Sequence, residues 1–231
     1  MKVPGHIAVI MDGNRRWAER EGVSQIAGHS AGVKALDIVT EECARRGVKA
    51  LTVYGFSIEN WNRPKSAVQS LFSLFTKSLE KYITKVKKNN IKFKTIGRSS
   101  ALPENLRAML KKAERETAAN TGMVLTTAIN YGGRQEILDA VRGLIEDVRE
   151  NGREASSITE NDIGERLYTA DLPELDLVIR TSGEIRVSNF LLWQSAYSEF
   201  YFTKTLWPDF GVEELEKAME EYGRRQRRYG N

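Results

Sequence analysis

Cysteine and histidine are scarce in this chain of 231 residues: Cys43 stands alone, and His6 and His29 are the two histidines. One cysteine excludes an intramolecular disulfide and a cysteine metal cluster, and two histidines speak against a His-rich metal site. Proline is rare too, at 5 residues, and neither repeats nor low-complexity segments occur. No apolar run approaches the roughly 20 residues that a membrane-spanning helix needs. The N-terminal stretch Val3–Met11 is too short, ends in Asp12 and has no small-residue cleavage site. A soluble, cytoplasmic protein is therefore expected. Charge of either sign is nearly balanced, 35 Lys and Arg against 31 Asp and Glu, for a net +4. That balance permits an anionic substrate or a membrane surface and does not argue for nucleic acid. Phosphate motifs of the common kinds are missing: there is no Walker A loop and no G-x-G-x-x-G. Gly28-His29-Ser30-Ala31-Gly32 opens a predicted helix but follows no strand, so P-loop and Rossmann readings fall away. No Ser-His-Asp or Cys-His arrangement can be argued, and Cys43 falls on the apolar face of its helix, where a core role is expected.

What is present is an alternation. Short apolar, β-branched runs at His6–Asp12, Ala50–Phe56, Ile91–Ile96, Met123–Ile129, Leu175–Arg180 and Glu199–Phe202 read as strands. Between them lie segments of helical period: Ser30–Arg46, Lys65–Asn89, a helix started by Pro103, Gln135–Glu150, and Val212 to about Tyr229 with its arginines 224, 225, 227 and 228. In the second of these, Val68, Leu71, Phe72, Phe75, Leu79, Tyr82, Ile83 and Val86 fall in a stripe about 120° wide, as a helix laid on a sheet requires. Near-continuous apolar strands alternating with helices predict an α/β fold: one domain over residues 1–231, with a mostly parallel sheet flanked by helices.

Ligands of open α/β sheets bind beyond the carboxyl ends of the strands. The residues that follow the strands are Asp12 to Trp17, Ser57 to Pro64, Asn130 to Arg134, and Arg180 to Asn189. Each group carries arginine, and each carries asparagine with a small or hydroxyl residue. Planar bidentate donors beside a single strand-end carboxylate, Asp12, suit a phosphorylated ligand with a hard divalent cation.

Four ordered motifs then resemble the cis-prenyltransferases, and among them the bacterial undecaprenyl diphosphate synthases. They are Asp12-Gly13-Asn14-x-Arg16-Trp17, Gly28-His29-x-x-Gly32, Phe56-Ser57-x-Glu59-Asn60-Trp61-x-Arg63-Pro64, and the run Arg180-Thr181-Ser182-Gly183-Glu184-x-Arg186-x-Ser188-Asn189-Phe190-Leu191-x-Trp193-Gln194. The resemblance implies sequential condensation of isopentenyl diphosphate onto an allylic diphosphate such as farnesyl diphosphate, with Mg2+. The expected product is undecaprenyl diphosphate, for a cell-wall lipid carrier. It further implies an apolar tunnel between sheet and helices, a homodimer with contacts around Ile129–Arg134 and the later helices, and room for a peripheral membrane contact at product release. A synthase of different product length and a non-catalytic partner subunit are the alternatives, the second disfavoured because Asp12, Asn60, Arg180, Arg186 and Glu199 are all present.

Residue by residue, the resemblance makes Asp12 the central catalytic residue and a metal ligand, with Glu199 as the second metal carboxylate. Gly13, Asn14, Arg15, Arg16, Trp17 and His29 would surround the allylic diphosphate. Ser57, Ile58, Glu59, Asn60, Trp61 and Arg63 would border the reacting carbons, with Asn60 positioning or relaying a proton because an amide is a poor base. Arg180, Arg186, Val187 and Ser188 would clamp isopentenyl diphosphate. Gly55, Phe72, Phe75 and Leu125 are the positions expected to set tunnel depth. One departure stands out: where the family usually has an arginine three residues before Gly-His, this chain has Gln25. A neutral amide does not make the bidentate charged contact, and Arg20 or Arg15 is the expected compensation.

Overall fold

The computed structural model describes residues 2–225. Six strands form one sheet: β1 (His6–Ile10), β2 (Ala50–Ser57), β3 (Lys92–Ile96), β4 (Val124–Tyr131), β5 (Leu177–Arg180) and β6 (Glu199–Phe202). Their order is β3-β4-β2-β1-β5-β6, and every pairing is parallel. The helices are α1 (Asn14–Arg20), α2 (Gln25–Arg45), α3 (Lys65–Lys88), α4 (Glu104–Thr117), α5 (Gly133–Asn151), α6 (Glu160–Gly164) and α7 (Val212–Arg224).

The all-parallel arrangement explains the unbroken apolar strands, because both faces of the sheet are covered. Along β1, Ile7 and Val9 join a large core under α2, α3, α4 and α7, while Ala8 and Ile10 join a smaller one with Tyr131, Phe190 and Leu191. Cys43 is fully buried in the larger core, and burial pushes its thiol pKa up, as an inert core thiol requires.

Three of the differences from the sequence-based expectation stand out. The chain leaves β1 at Ile10, turns at Gly13 and forms α1, a helix that went unanticipated. α2 starts at Gln25, capped by the Ser24 hydroxyl, which accepts from the Ala27 amide at 3.2 Å, so Gly28 and Gly32 lie inside the helix rather than opening it. α7 ends at Arg224 with Arg225 extended; the rest of the segment expected to reach Tyr229 lies outside the described residues, as do Arg227 and Arg228. No helix among the described residues is long and apolar enough to cross a membrane.

Candidate active site

Strand order reverses between β1 and β5, which lie side by side with Ile10 opposite Arg180. A crevice opens outside the carboxyl ends of the strands at such a point. Asp12 and Arg180 meet there. Arg180 is 4% exposed; its Nη2 donates to Asp12 Oδ2 at 2.9 Å, and its Nη1 donates to Ser188 Oγ at 2.7 Å and to the Arg186 carbonyl at 2.6 Å. Its Nε–H is buried with no partner among the described residues, a donor that an anion would satisfy. The Thr181 hydroxyl ties the Asp12 backbone down, accepting from its N–H at 3.0 Å and donating to its carbonyl at 2.6 Å. Arg16 completes this corner by donating to the Ser182 carbonyl at 2.9 Å and Oγ at 2.6 Å, and it lies 3.8 Å from Asp12 Oδ1.

α1 holds Asn14, Arg15 and Arg16 over the crevice because it lies close against α2. A Cβ at Gly28 would sit 2.3 Å from the Asn14 carbonyl, and one at Gly32 would sit 2.1 Å from Asn14 Oδ1. The turn into α1 uses Gly13 at φ 107°, a region L side chains avoid. Trp17 Nε1 and the Arg20 guanidinium both donate to Asp209, at 2.7 Å and at 2.8 and 3.1 Å, which anchors the outer side of α1. Arg20 is thus occupied away from the crevice and does not replace the charge missing at Gln25, which itself lines the crevice. Arg15 also lines it and donates to Glu19 at 2.9 Å.

The opposite wall is the helical turn Ile58–Asn62 after β2. Asn60 Oδ1 accepts from the Ser57 amide at 3.1 Å, which fixes which end of the side-chain amide is which and leaves its NH2 for a ligand. Glu59 Oε1 accepts from Asn189 Nδ2 at 2.8 Å; partial burial raises the Glu59 pKa, and this and other hydrogen bonds outweigh it and hold the carboxyl below its usual range. His29 is half-buried, and burial together with the charge of Arg63 lowers its pKa, so the imidazole is neutral at neutral pH.

These walls enclose a cavity of about 1300 Å³. It is lined by Asp12, Arg15, Arg16, Arg63, Arg180 and Glu59, four cations against two carboxylates, and by apolar side chains that include Leu71, Phe75 and Leu79 of α3 with Tyr82, Val53 and Ile129. Gly13, Asn14, Gln25, His29, Ser57, Asn60 and Ser188 also line it. Trp17, Ile58, Trp61, Arg186 and Val187 are not among the lining residues. Trp61 packs beside Phe56 and Phe72 and donates to Asn130 Oδ1 at 2.7 Å, and Arg186 pairs with Glu184. Of the depth positions, Gly55 and Phe75 line the cavity, whereas Phe72 and Leu125 are buried behind it.

Two expectations are not met within a single chain. Glu199 pairs in register with Leu177, three rungs before Arg180 meets Phe202, so it sits roughly 10 Å down the sheet, near its amino edge. There its carboxylate accepts from Arg225 at 3.0 Å, and a single chain does not bring it beside Asp12. Ile129, Asn130, Tyr131, Gly132 and Gly133 are buried inside the fold, which leaves only Arg134 of that segment for a contact between copies. Sequence reasoning passed over Thr181, Ser182 and Asn189 as site residues. The signal was their place in the run after β5, where Ser182, Ser188, Asn189 and Leu191 all adopt positive φ, a concentration of strain typical of functional loops.

The sequence model of the prenyltransferase family described as "Putative undecaprenyl diphosphate synthase" matches residues 10–230. An isoprenyl transferase of Streptococcus pyogenes is 50% identical, covering 99% of this chain and 93% of its own length. One from Fusobacterium nucleatum is also 50% identical, over 99% of this chain and 96% of its own. Among solved structures, lavandulyl diphosphate synthase from Lavandula x intermedia, in complex with dimethylallyl diphosphate, aligns with a TM-score of 0.96 at 36% identity, over 99% of both chains. A probable undecaprenyl diphosphate synthase from Campylobacter jejuni gives 0.83 at 33%, over the whole of both. With its motifs gathered around one crevice and relatives of this identity matched from end to end, the chain belongs to the undecaprenyl diphosphate synthase family of prenyltransferases.

Proposed function

We propose that this enzyme adds isopentenyl diphosphate units in cis geometry to an allylic diphosphate, farnesyl diphosphate being the expected primer, and makes undecaprenyl diphosphate for a cell-wall lipid carrier. The observation that carries this reading is that one cavity is lined both by Arg15, Arg16, Arg63 and Arg180 and by apolar side chains of α3 and the sheet. At about 1300 Å³ it exceeds the ~300–1,000 Å³ of ordinary small-ligand sites, as a growing polyprenyl tail requires.

The donors at Asp12 suit Mg2+. Oδ2 is engaged by Arg180, while Oδ1 has Arg16 no nearer than 3.8 Å, and Mg2+ is usually held by one or two carboxylates together with substrate phosphates. Bound there with the allylic diphosphate, Mg2+ would offset the charge that develops on the leaving group. The chain's own residues do the rest. Arg15, Arg16 and Arg63 bind the allylic diphosphate, and Asn14 and His29 shape its seat. Arg180 and Ser188 take the second diphosphate, with Arg186 swinging from Glu184 to join them. The Asn60 NH2 orients a diphosphate oxygen, which receives the proton lost from the isopentenyl unit. Glu199 is left out of the proposed metal site. A homodimer through α5 is supported by Leu138 and Ile145, which are 44% and 51% exposed on one helix face. A synthase of different product length is the second reading, favoured by the 0.96 alignment with lavandulyl diphosphate synthase.

Turnover of farnesyl diphosphate with labelled isopentenyl diphosphate, with Mg2+ or with EDTA, separates these. A single long polyprenyl class that disappears with EDTA supports the proposal. A product with one or two added units supports the second reading, and no product from folded protein overturns both.

A further inference from the structure

Net charge is distributed unevenly over this molecule. α3 contains six lysines and one glutamate, an excess of five, while the whole chain carries only +4; everything outside α3 therefore sums to −1. Five of those six lysines fall between Lys77 and Lys88. At about 100° per residue, Lys77, Lys81, Lys85 and Lys88 lie within roughly 80° of one another, on the side of the helix away from its apolar stripe. Lys85 reaches Asp37 and Glu41 of α2. Lys77, Lys81, Lys87 and Lys88 are exposed and have no acidic partner among the described residues. A solvated helix face ordinarily mixes both signs, as α2 and α7 do here.

The same helix walls the cavity. Ser66 and Ala67 are exposed, and Ser70, Leu74, Phe75 and Ser78 are half-buried, although all six line it. α3 is thus at once the partition beside the apolar chamber and the cationic outer surface.

We infer that the lysine face of α3 is a docking surface for an anionic lipid bilayer, which sets the chamber wall against the membrane. Four to eight clustered lysines on an amphipathic helix suit anionic headgroups. The purpose of the surface rests on the proposed long-chain product, which is too apolar to leave into water; the binding itself does not.

The test is therefore made first without substrate. The full chain is sedimented with phosphatidylglycerol or phosphatidylcholine vesicles at low and at high salt, beside K77E/K81E/K88E, the milder K77Q/K81Q/K88Q, and R227Q/R228Q as a control for the C-terminal arginines. Binding to phosphatidylglycerol alone is expected, abolished by high salt, weakened on the order of 100-fold in the glutamine variant and further in the glutamate variant, and retained by R227Q/R228Q. First-condensation turnover without vesicles should be unchanged in both lysine variants, which also reports that they fold. Equal binding to both lipids, full binding by the lysine variants, or loss in R227Q/R228Q would overturn the inference. So would salt-sensitive binding of single-stranded RNA, lost in the lysine variants, without vesicle binding.

Discussion

Arg180 shows how much of this site a single residue assembles. It is the last residue of a buried strand, and its guanidinium joins Asp12, Ser188 and the Arg186 carbonyl while still leaving one buried N–H unpaired among the described residues. A planar fork with five donors does this; a lysine ammonium has one centre and cannot span the same set. Arg180→Lys should therefore lose at least one charge-assisted bond worth about 1.5–3 kcal/mol, or ten- to a hundredfold in kcat/KM. Because the side chain sits between groups from β1 and from the loop after β5, the loss should fall on kcat as well as on KM for isopentenyl diphosphate. Steady-state kinetics on variant protein with a wild-type circular dichroism spectrum checks this, and an unchanged kcat/KM would remove Arg180 from the site. Asp12 and Arg180 were legible in the sequence because both end apolar strands. Arg20 was misjudged because its partner, Asp209, lies 189 positions away, a pairing that no local pattern encodes.

Elements were legible where periodicity was long and were lost where packing set the pattern. The apolar runs and the α3 stripe located the sheet and its longest helix. α1 was hidden: it is seven residues long, has no capping side chain and begins after a glycine. Gly28 and Gly32 were expected to open the helix but are the contact face of α2, one turn apart, on which α1 rests. This has a consequence of definite sign. On helix propensity alone, Gly28→Ala should stabilise by nearly 1 kcal/mol. Here the new Cβ would meet the Asn14 carbonyl at 2.3 Å and the Ala18 Cβ at 2.9 Å, so α1 must shift, and overpacking of this kind costs roughly 1–3 kcal/mol. A lower thermal midpoint is expected, with a raised KM for the allylic substrate as Arg15 and Arg16 move with their helix. A thermal melt beside an allylic-substrate titration reads both, and a higher midpoint with unchanged KM would mean that the α1–α2 contact is not what those glycines serve.

At the scale of the whole molecule the two ends of the sheet do different work. The carboxyl edge gathers the charges of the site, whereas the amino edge is locked by buried polar contacts, with the Gly5 and His6 amides donating to Asp176 at 2.6 and 3.2 Å. His6 is 1% exposed. Its Nδ1 faces the Pro173 carbonyl at 2.9 Å and must donate, and in the neutral ring Nε2 accepts from the Thr52 hydroxyl at 2.8 Å. Burial lowers the His6 pKa, outweighing the opposing effects of the Pro173 carbonyl and Asp176. In the unfolded chain the ring titrates near 6.5, so below that pH the unfolded state binds more protons and stability falls as pH falls, by at most about 1.4 kcal/mol per unit for one group. His29, also depressed, acts in the same direction, and buried Glu136, whose pKa is raised by burial, acts in the opposite one. The His6 contribution is therefore isolated as a difference. Glutamine at position 6 can donate and accept without titrating, so the stability of wild type relative to His6→Gln should drop between pH 7.5 and 5.5. Urea unfolding of both proteins across that range measures it. A gap independent of pH would mean that His6 takes up its proton equally well folded and unfolded, and that the lock at the amino edge does not depend on the neutral ring.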